Sequence, residues 1–289
     1  MPRKVGLDSL RTYQDAVVII TGGASRLGKH IGLELAKRGA NVVLLDRQVE
    51  EAKRVCAQIN EAGGRGWAHE IDVREQSAIR TVFRRVYEEH GRIDYVFNNA
   101  GIVYAGNVTD MTPAQWKDIV DINICGVVSG CHEAVAIMKE QGFGHIINTA
   151  SMAGLLITPF ITAYGMTKHA VVGLSLAMNA ELRAENIWVT AMCPGFINTP
   201  ILHGGEYGAY VSKTKDGVLE KLRSNKFIVY DVESFAKDAV KAITKRKGII
   251  ILPKRWTLVW CFHRWFPGFS LALSQLQSRY TKKKKVFRP

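Results

Sequence analysis

The stretch "VIITGGASRLGKHIG", residues 18–32, decides the fold, because an apolar run ends in a glycine-rich turn that opens a helical pattern. Two readings compete for the turn. Gly23, Gly28 and Lys29 have the G-x-x-x-x-G-K spacing of a triphosphate loop, while Gly22 and Gly28 behind an apolar strand fit a dinucleotide loop. The first requires a Ser or Thr hydroxyl for Mg²⁺ where this chain has His30, and the second meets Arg26 where a glycine is usual. Leu27, Ile31 and Leu35 continue beyond the turn at helical spacing, so its backbone N–H groups and a helix N-terminus face an anion.

Outward from this turn the chain alternates strand and helix. Short β-branched runs at Ala16–Thr21, Asn41–Asp46, Gly66–Asp72, Tyr95–Asn98, His145–Thr149, Trp188–Cys193 and Ile249–Leu252 predict seven buried parallel strands. Helical patterns lie between them, for example Val171, Leu174, Met178 and Leu182, which predicts an α/β, doubly wound fold. Residues 195–230, rich in Gly and charge, predict a mobile loop with short helices over a site. The expected division is a catalytic domain over 1–253 and a basic, aromatic-rich, amphipathic extension over 254–289.

Composition bounds the function. At 289 residues, 47% hydrophobic and 22% charged, the chain suits one globular α/β body. Its net charge is +13, yet nine Lys or Arg and no Asp or Glu fall within 254–289, so the basic character belongs mainly to the tail and nucleic acid is not an expected partner. Five scattered cysteines without C-x-x-C spacing predict reduced thiols in a cytoplasmic compartment. The eight histidines contain no H-x-x-x-H pair, so no metal site is expected. Asp8 interrupts the N-terminal stretch, which does not read as a secretory signal.

Two clusters carry chemistry. Asp46, at the end of the second strand, can accept hydrogen bonds from both hydroxyls of an adenosine ribose, or can merely cap the next helix. In "ITAYGMTKHA", Tyr164 and Lys168 lie four apart on one helical face, bringing an ammonium close to a phenol. Lowering a phenol from pKa about 10 to near 7 takes ~4 kcal/mol of phenolate stabilisation, which a partly desolvated Lys and a cationic nicotinamide could supply.

With "TGGASRLG" at Thr21, "DV" at Asp72, "NNAG" at Asn98, "NICG" at Asn123, "NTAS" ending at Ser151, "YGMTK" at Tyr164 and "PGFINT" at Pro194, the chain resembles the short-chain dehydrogenase/reductase family from about Ala16 to Leu252. The resemblance implies a Rossmann fold and a nicotinamide-dependent oxidoreductase. It implies that Tyr164 is the acid–base, that Ser151 binds the substrate oxygen, and that Lys168 holds the nicotinamide ribose and depresses the Tyr164 pKa. Asn123 would anchor a relay water or, on the plainer reading, kink a long helix. Gly22, Ser25, Arg26, Leu27 and Gly28 would hold the pyrophosphate, Asp46 and Arg47 the adenosine ribose, Asp72 and Val73 the adenine. Asn99, Ala100 and Gly101 would line the trough, with Pro194, Gly195, Ile197 and Thr199 at the nicotinamide. Arg26 either reaches a phosphate or is an exposed helix-start residue, and both readings stay open.

A 2′-phosphate ~4 Å from the Asp46 carboxylate would meet ~8 kcal/mol of gross repulsion at an effective dielectric of 20, which favours NAD over NADP despite Arg26 and Arg47. Met152, Leu155, Leu156, Phe160, Phe196 and Ile197 border the expected site without a charge, which points to a lipophilic alcohol or ketone such as a steroid, retinoid or long-chain compound. A 3-oxoacyl-thioester reductase and a non-catalytic NAD-sensing scaffold are the alternatives. The resemblance also implies a homodimer or homotetramer. In the tail, apolar runs fall short of the ~18 residues that span a bilayer. Leu258, Val259, Phe262, Trp265 and Phe266 nevertheless share one face, with Thr257 and Arg264 opposite, and after Pro267 a second stripe of Leu273, Leu276 and Tyr280 precedes Lys282–Lys285. This predicts peripheral attachment to a membrane surface through 254–289, the alternatives being closure of the pocket or packing on a second subunit.

Overall fold

The computed structural model describes residues 10–197, 208–214, 229–283 and 287–288. Seven parallel strands form the main sheet: β1 (Val17–Thr21), β2 (Asn41–Asp46), β3 (Arg65–Glu70), β4 (Tyr95–Asn98), β5 (Gly144–Thr149), β6 (Ile187–Pro194) and β7 (Ile249–Leu252). Their order is β7-β6-β5-β4-β1-β2-β3, so the chain runs outward from β1 to β3 and then returns to build the other half from β4. The reversal falls between β1 and β4, where the carboxyl ends of doubly wound sheets leave a crevice for a ligand.

Alternation along each strand divides the core in two. Val18, Ile20, Val42 and Leu44 face one layer, where they pack with Ile31 and Leu35 of α1 (Arg26–Ala36), Val55 and Ile59 of α2 (Val49–Glu61), and Phe235 and Val240 of α7 (Val232–Ile243). Val17, Ile19, Val43 and Leu45 face the other, against Ile79 and Phe83 of α3 (Gln76–His90), Val127 and Ile137 of α5 (Gly126–Gln141), and Val171 and Leu182 of α6 (Thr162–Leu182). Helices on both faces explain why β1 and β2 are buried at every position and apolar between their polar ends at Thr21, Asn41 and Asp46. β3 departs from the expected buried strand: it ends at Glu70 and half of its residues face solvent, because it forms one edge of the sheet.

α4 (Pro113–Val120) begins at a Thr112–Gln115 capping box and runs through a single π-helical turn, Asp121–Cys125, into α5. The continuous helix Pro113–Gln141 is long and apolar enough to cross a membrane by length and composition, but half of that apolar window is buried inside the protein, as suits a core helix. Most of the expected mobile loop, 198–207 and 215–228, lies outside the described residues. The described part of it forms short strands rather than helices: Gly208–Tyr210 pairs parallel with Val103–Ala105, and Lys213–Thr214 pairs antiparallel with Phe287–Arg288. The extension folds as two helices, α8 (Arg255–Trp265) and α9 (Pro267–Lys283).

Candidate active site

The residues singled out by sequence converge at the carboxyl ends of β1, β2, β4, β5 and β6. The turn after β1 is held closed by contacts that only glycine permits. A Cβ on Gly28 would fall 2.2 Å from the Gly22 carbonyl oxygen, and Gly22 has φ +65 with Ala100 Cα 2.9 Å from where its Cβ would lie. Asn99 braces the turn from β4, its Nδ2 donating to the carbonyls of Thr21 (3.1 Å) and Gly22 (3.2 Å). Thr21 Oγ1 accepts from the backbone N–H groups of Asn99 and Ala100. The Ser25 hydroxyl donates to the Gly22 carbonyl at 2.9 Å rather than capping α1.

Asp46 is buried at the tip of β2 and ties the glycine turn to the start of α2. Oδ2 accepts from Ala24 N in the glycine turn and Oδ1 from Gln48 N at the start of α2, each at 2.9 Å. Each oxygen keeps a second lone pair for a further donor. Arg47 beside it is exposed. The Asp72 carboxylate is gripped by the Arg74 guanidinium, which keeps it below the usual carboxylate range. Val73 fits against Gly126, whose own Cβ would meet Val73 Cγ2 at 2.9 Å.

On the other half of the sheet, β5 leads to Ser151 and α6 supplies Tyr164 and Lys168 from its first turns. Ser151 Oγ accepts from Ala153 N at 3.1 Å, which turns its own hydrogen toward Tyr164. Lys168 is buried, its Nζ 5.5 Å from the Tyr164 ring centroid and donating to the Thr149 carbonyl at 2.7 Å. Burial pulls the Lys168 ammonium down from its ordinary 10.5 to about 8. Burial pushes the Tyr164 phenol up to about 12, and the Ser151 hydrogen bond acts the other way. Among the protein's own groups burial dominates, so the phenol lies above its ordinary value, with the Lys168 ammonium over its ring.

Asn123 sits fully buried inside the π turn. Its Oδ1 accepts from Ile102 N at 2.8 Å, and its Nδ2 donates to the Ile102 carbonyl at 2.9 Å and to Thr167 Oγ1 at 3.1 Å. A Cβ on Gly101 would meet Asn123 Oδ1 at 3.2 Å and Lys168 Nζ at 3.4 Å, so this glycine keeps the floor between them bare. A glycine-only turn, a buried carboxylate at the second strand and a bare floor beneath a buried ammonium together fit an extended dinucleotide.

The short chain dehydrogenase family matches residues 16–206. The chain belongs to this family. Among its relatives, the 3beta-hydroxysteroid dehydrogenase of Mediterraneibacter gnavus is 34% identical over 190 residues, 65% of this chain and 68% of that protein. The cyclohexanol dehydrogenase of an Acinetobacter species is 32% identical over 191 residues, 66% of this chain and 76% of that one. Against the probable oxidoreductase EphD of Mycobacterium bovis the dehydrogenase is 32% identical over 243 residues and spans 41% of that longer protein. The solved structure of an NAD⁺-bound xylitol dehydrogenase superposes with TM-score 0.74 at 25% identity, covering 84% of this chain and 99% of that one. The dehydrogenase is thus an oxidoreductase acting on alcohols and ketones.

Not every predicted residue lies where the sequence placed it. Met152 and Leu155 are buried in the core layer under the sheet, so the residue after Ser151 packs the body and does not line an open site. Ile197 is likewise buried, while Leu156 and Phe160 are half-buried and Phe196 is exposed. Pro194 ends β6 and Gly195 follows it; Thr199 lies outside the described residues, as does the side chain of Arg26. Sequence reasoning gave no role to Thr21 and Thr149, although both stand inside the quoted "TGGASRLG" and "NTAS". It also missed Trp256 of α8, whose indole packs 5.9 Å from the Phe196 ring and fills the space where a Gly195 side chain would stand. Its Nε1 is buried without a hydrogen-bond partner among the described residues.

Proposed function

We propose that this dehydrogenase uses NAD(H) to interconvert a lipophilic alcohol and its ketone or aldehyde. The carrying observation is the line of strand ends that presents buried Asp46 at the adenosine side and Ser151, Tyr164 and Lys168 together at the other. NAD, when bound, takes or gives the hydride. Tyr164 exchanges a proton with the substrate oxygen at its phenolic Oη. Ser151, its lone pair committed to Ala153, donates its hydrogen to that same oxygen and stabilises negative charge there. Lys168 spends one hydrogen on Thr149 and keeps two for the nicotinamide ribose. Asn123 fixes Ile102 and the floor at Gly101, and the free lone pair of its Oδ1 can hold a water beside Lys168. On the family resemblance, Gly22, Ser25, Arg26, Leu27 and Gly28 would hold the pyrophosphate, Asp72 and Val73 would meet the adenine, and Pro194, Gly195, Ile197 and Thr199 would border the nicotinamide.

Asp46 supports NAD over NADP, because a 2′-phosphate would face a buried carboxylate that is fixed at both oxygens. The apolar rim of Leu156, Phe160, Phe196 and Trp256 supports an apolar substrate, as do relatives named for a hydroxysteroid and for cyclohexanol. Five free cysteines support a reducing, cytoplasmic setting, and exposed Met166 and Leu176 on α6 support pairing into a homodimer or homotetramer across that helix. The deciding experiment follows NAD⁺ reduction across steroid, retinoid and aliphatic alcohols, with carrier-bound 3-ketoacyl groups run in reverse. Turnover concentrated among the apolar alcohols is expected. Preference for the carrier-bound ketoacyl group, or tighter binding of NADP⁺ than NAD⁺, would overturn the reading.

A further inference from the structure

We propose that α8 and α9 form a docking surface for an anionic lipid bilayer and that this surface is built onto the mouth of the active site. The observation is an outward-turned apolar face. On α8, Trp256, Trp260 and His263 turn toward the body, the two tryptophans packing on the core, while Leu258, Phe262 and Trp265 point to solvent with exposures of 76%, 46% and 78%. On α9 the arrangement is inverted relative to a helix of a globular body. The half-buried positions are Ser270, Ser274, Ser278 and Thr281, and the exposed stripe is Phe269, Leu273, Leu276 and Tyr280. A helix that hides serines and shows leucines has its apolar stripe uncovered by the described residues.

The two faces are one surface. Phe262 packs at a tilt on Phe266, ring centroids 5.2 Å apart, and meets Phe269 edge-on at 5.6 Å, so aromatic rings bridge the break at Pro267. Charge names the occupant: 254–289 contains nine Lys or Arg and no acidic residue, and α9 ends in Lys282 and Lys283. Exposed Trp and Phe among basic residues suit the headgroup layer of an anionic membrane, with the helices lying in its plane. A second copy of this chain would bring the same positive charge against itself. The attachment to the site is direct, because only Pro253 and Lys254 separate β7 from α8, which seats Trp256 against Gly195 and Phe196. At its far end Phe287–Arg288 pairs with Lys213–Thr214, within the segment that follows the site. Docking therefore brings the apolar rim to the lipid; that delivery step rests on the lipophilic-substrate reading, whereas docking itself does not.

Flotation of the full chain with phosphatidylcholine vesicles, with and without phosphatidylserine, tests this. Flotation with the serine-containing vesicles is expected, weakened by salt and much weaker on pure phosphatidylcholine. Trp265→Ser with Leu276→Ser, and separately Lys282→Glu with Lys283→Glu, should each lower the bound fraction about tenfold or more while turnover of a small water-soluble alcohol is unchanged. Absence of flotation on both vesicle types overturns docking, as does flotation indifferent to both pairs of substitutions. So does a larger assembly by light scattering that the first pair dissolves without any vesicle binding, which would assign the face to a second copy. Docking that survives while apolar alcohols fail as substrates overturns only the delivery step.

Discussion

Tyr164 carries the reaction in this account, so Tyr164→Phe should lower kcat by at least ~10²-fold while NAD⁺ titration stays near wild type. Lys168 has a further, pH-linked signature. Its ammonium titrates at about 8 in the folded chain against an ordinary 10.5. The unfolded chain therefore holds that proton over a range where the folded chain has released it, and stability rises with pH between the two values. Denaturant titrations at several pH values should show the stability of the wild type relative to Lys168→Met rising over this range, a difference in which the opposite slope from buried Cys56, Cys131 and Cys193 cancels. Asp46→Ala removes the acceptor of Ala24 N and Gln48 N, so a stability loss of ~1–3 kcal/mol should accompany weaker NAD⁺ binding and a narrower gap to NADP⁺. Equal loss for both cofactors would mean that the carboxylate only shapes the turn. The four-residue spacing of Tyr164 and Lys168 made their pairing legible in the sequence, and the family resemblance added Ser151 to it. The contributions of Thr21 and Thr149 were not legible, because each acts through a hydrogen bond between distant segments. Nor was the burial of Met152, since adjacency to Ser151 does not say which side of the sheet a side chain meets.

Strands and helices were legible because two-sided burial leaves unbroken apolar runs in β1 and β2 and because α1, with one face on the core, keeps a clear period. The edge strand β3, half solvated, weakened that signal and its end was read two residues too late. The π turn around Asn123 left no mark either, since one extra residue in a helical turn barely disturbs the pattern. Between β6 and α8 the contact of Gly195 with Trp256 makes a testable joint. A Cβ there would lie 2.4 Å from the indole Nε1, so Gly195→Ala should cost ~1–3 kcal/mol by overpacking, speed hydrogen exchange over Arg255–Trp265 and reduce kcat/KM several-fold. Adding Trp256→Ala should return much of the lost activity to Gly195→Ala. If the pair is as impaired as the two single changes combined, the joint does not transmit strain.

Across the whole molecule, a doubly wound body continues almost without a linker into two helices, the first of which seats Trp256 against Gly195 and Phe196. Pairing across α6 predicts a dimer or tetramer by light scattering, reduced to a monomer by Met166→Glu with Leu176→Glu, both exposed in the single chain. A wild-type monomer would remove that arrangement. The two faces of α8 carry a consequence of their own. Trp256 and Trp260 fix the rotational phase of this helix against the body, and Leu258, Phe262 and Trp265 follow at a set angle from them. One residue inserted after Trp260 would leave both tryptophans seated and turn everything beyond by ~100° about the axis. Phe262, Trp265 and the whole of α9 would then point sideways with their chemistry unaltered. The direction in which this protein presents its tail is thus written in the count of residues between two tryptophans and a phenylalanine, not in their hydrophobicity.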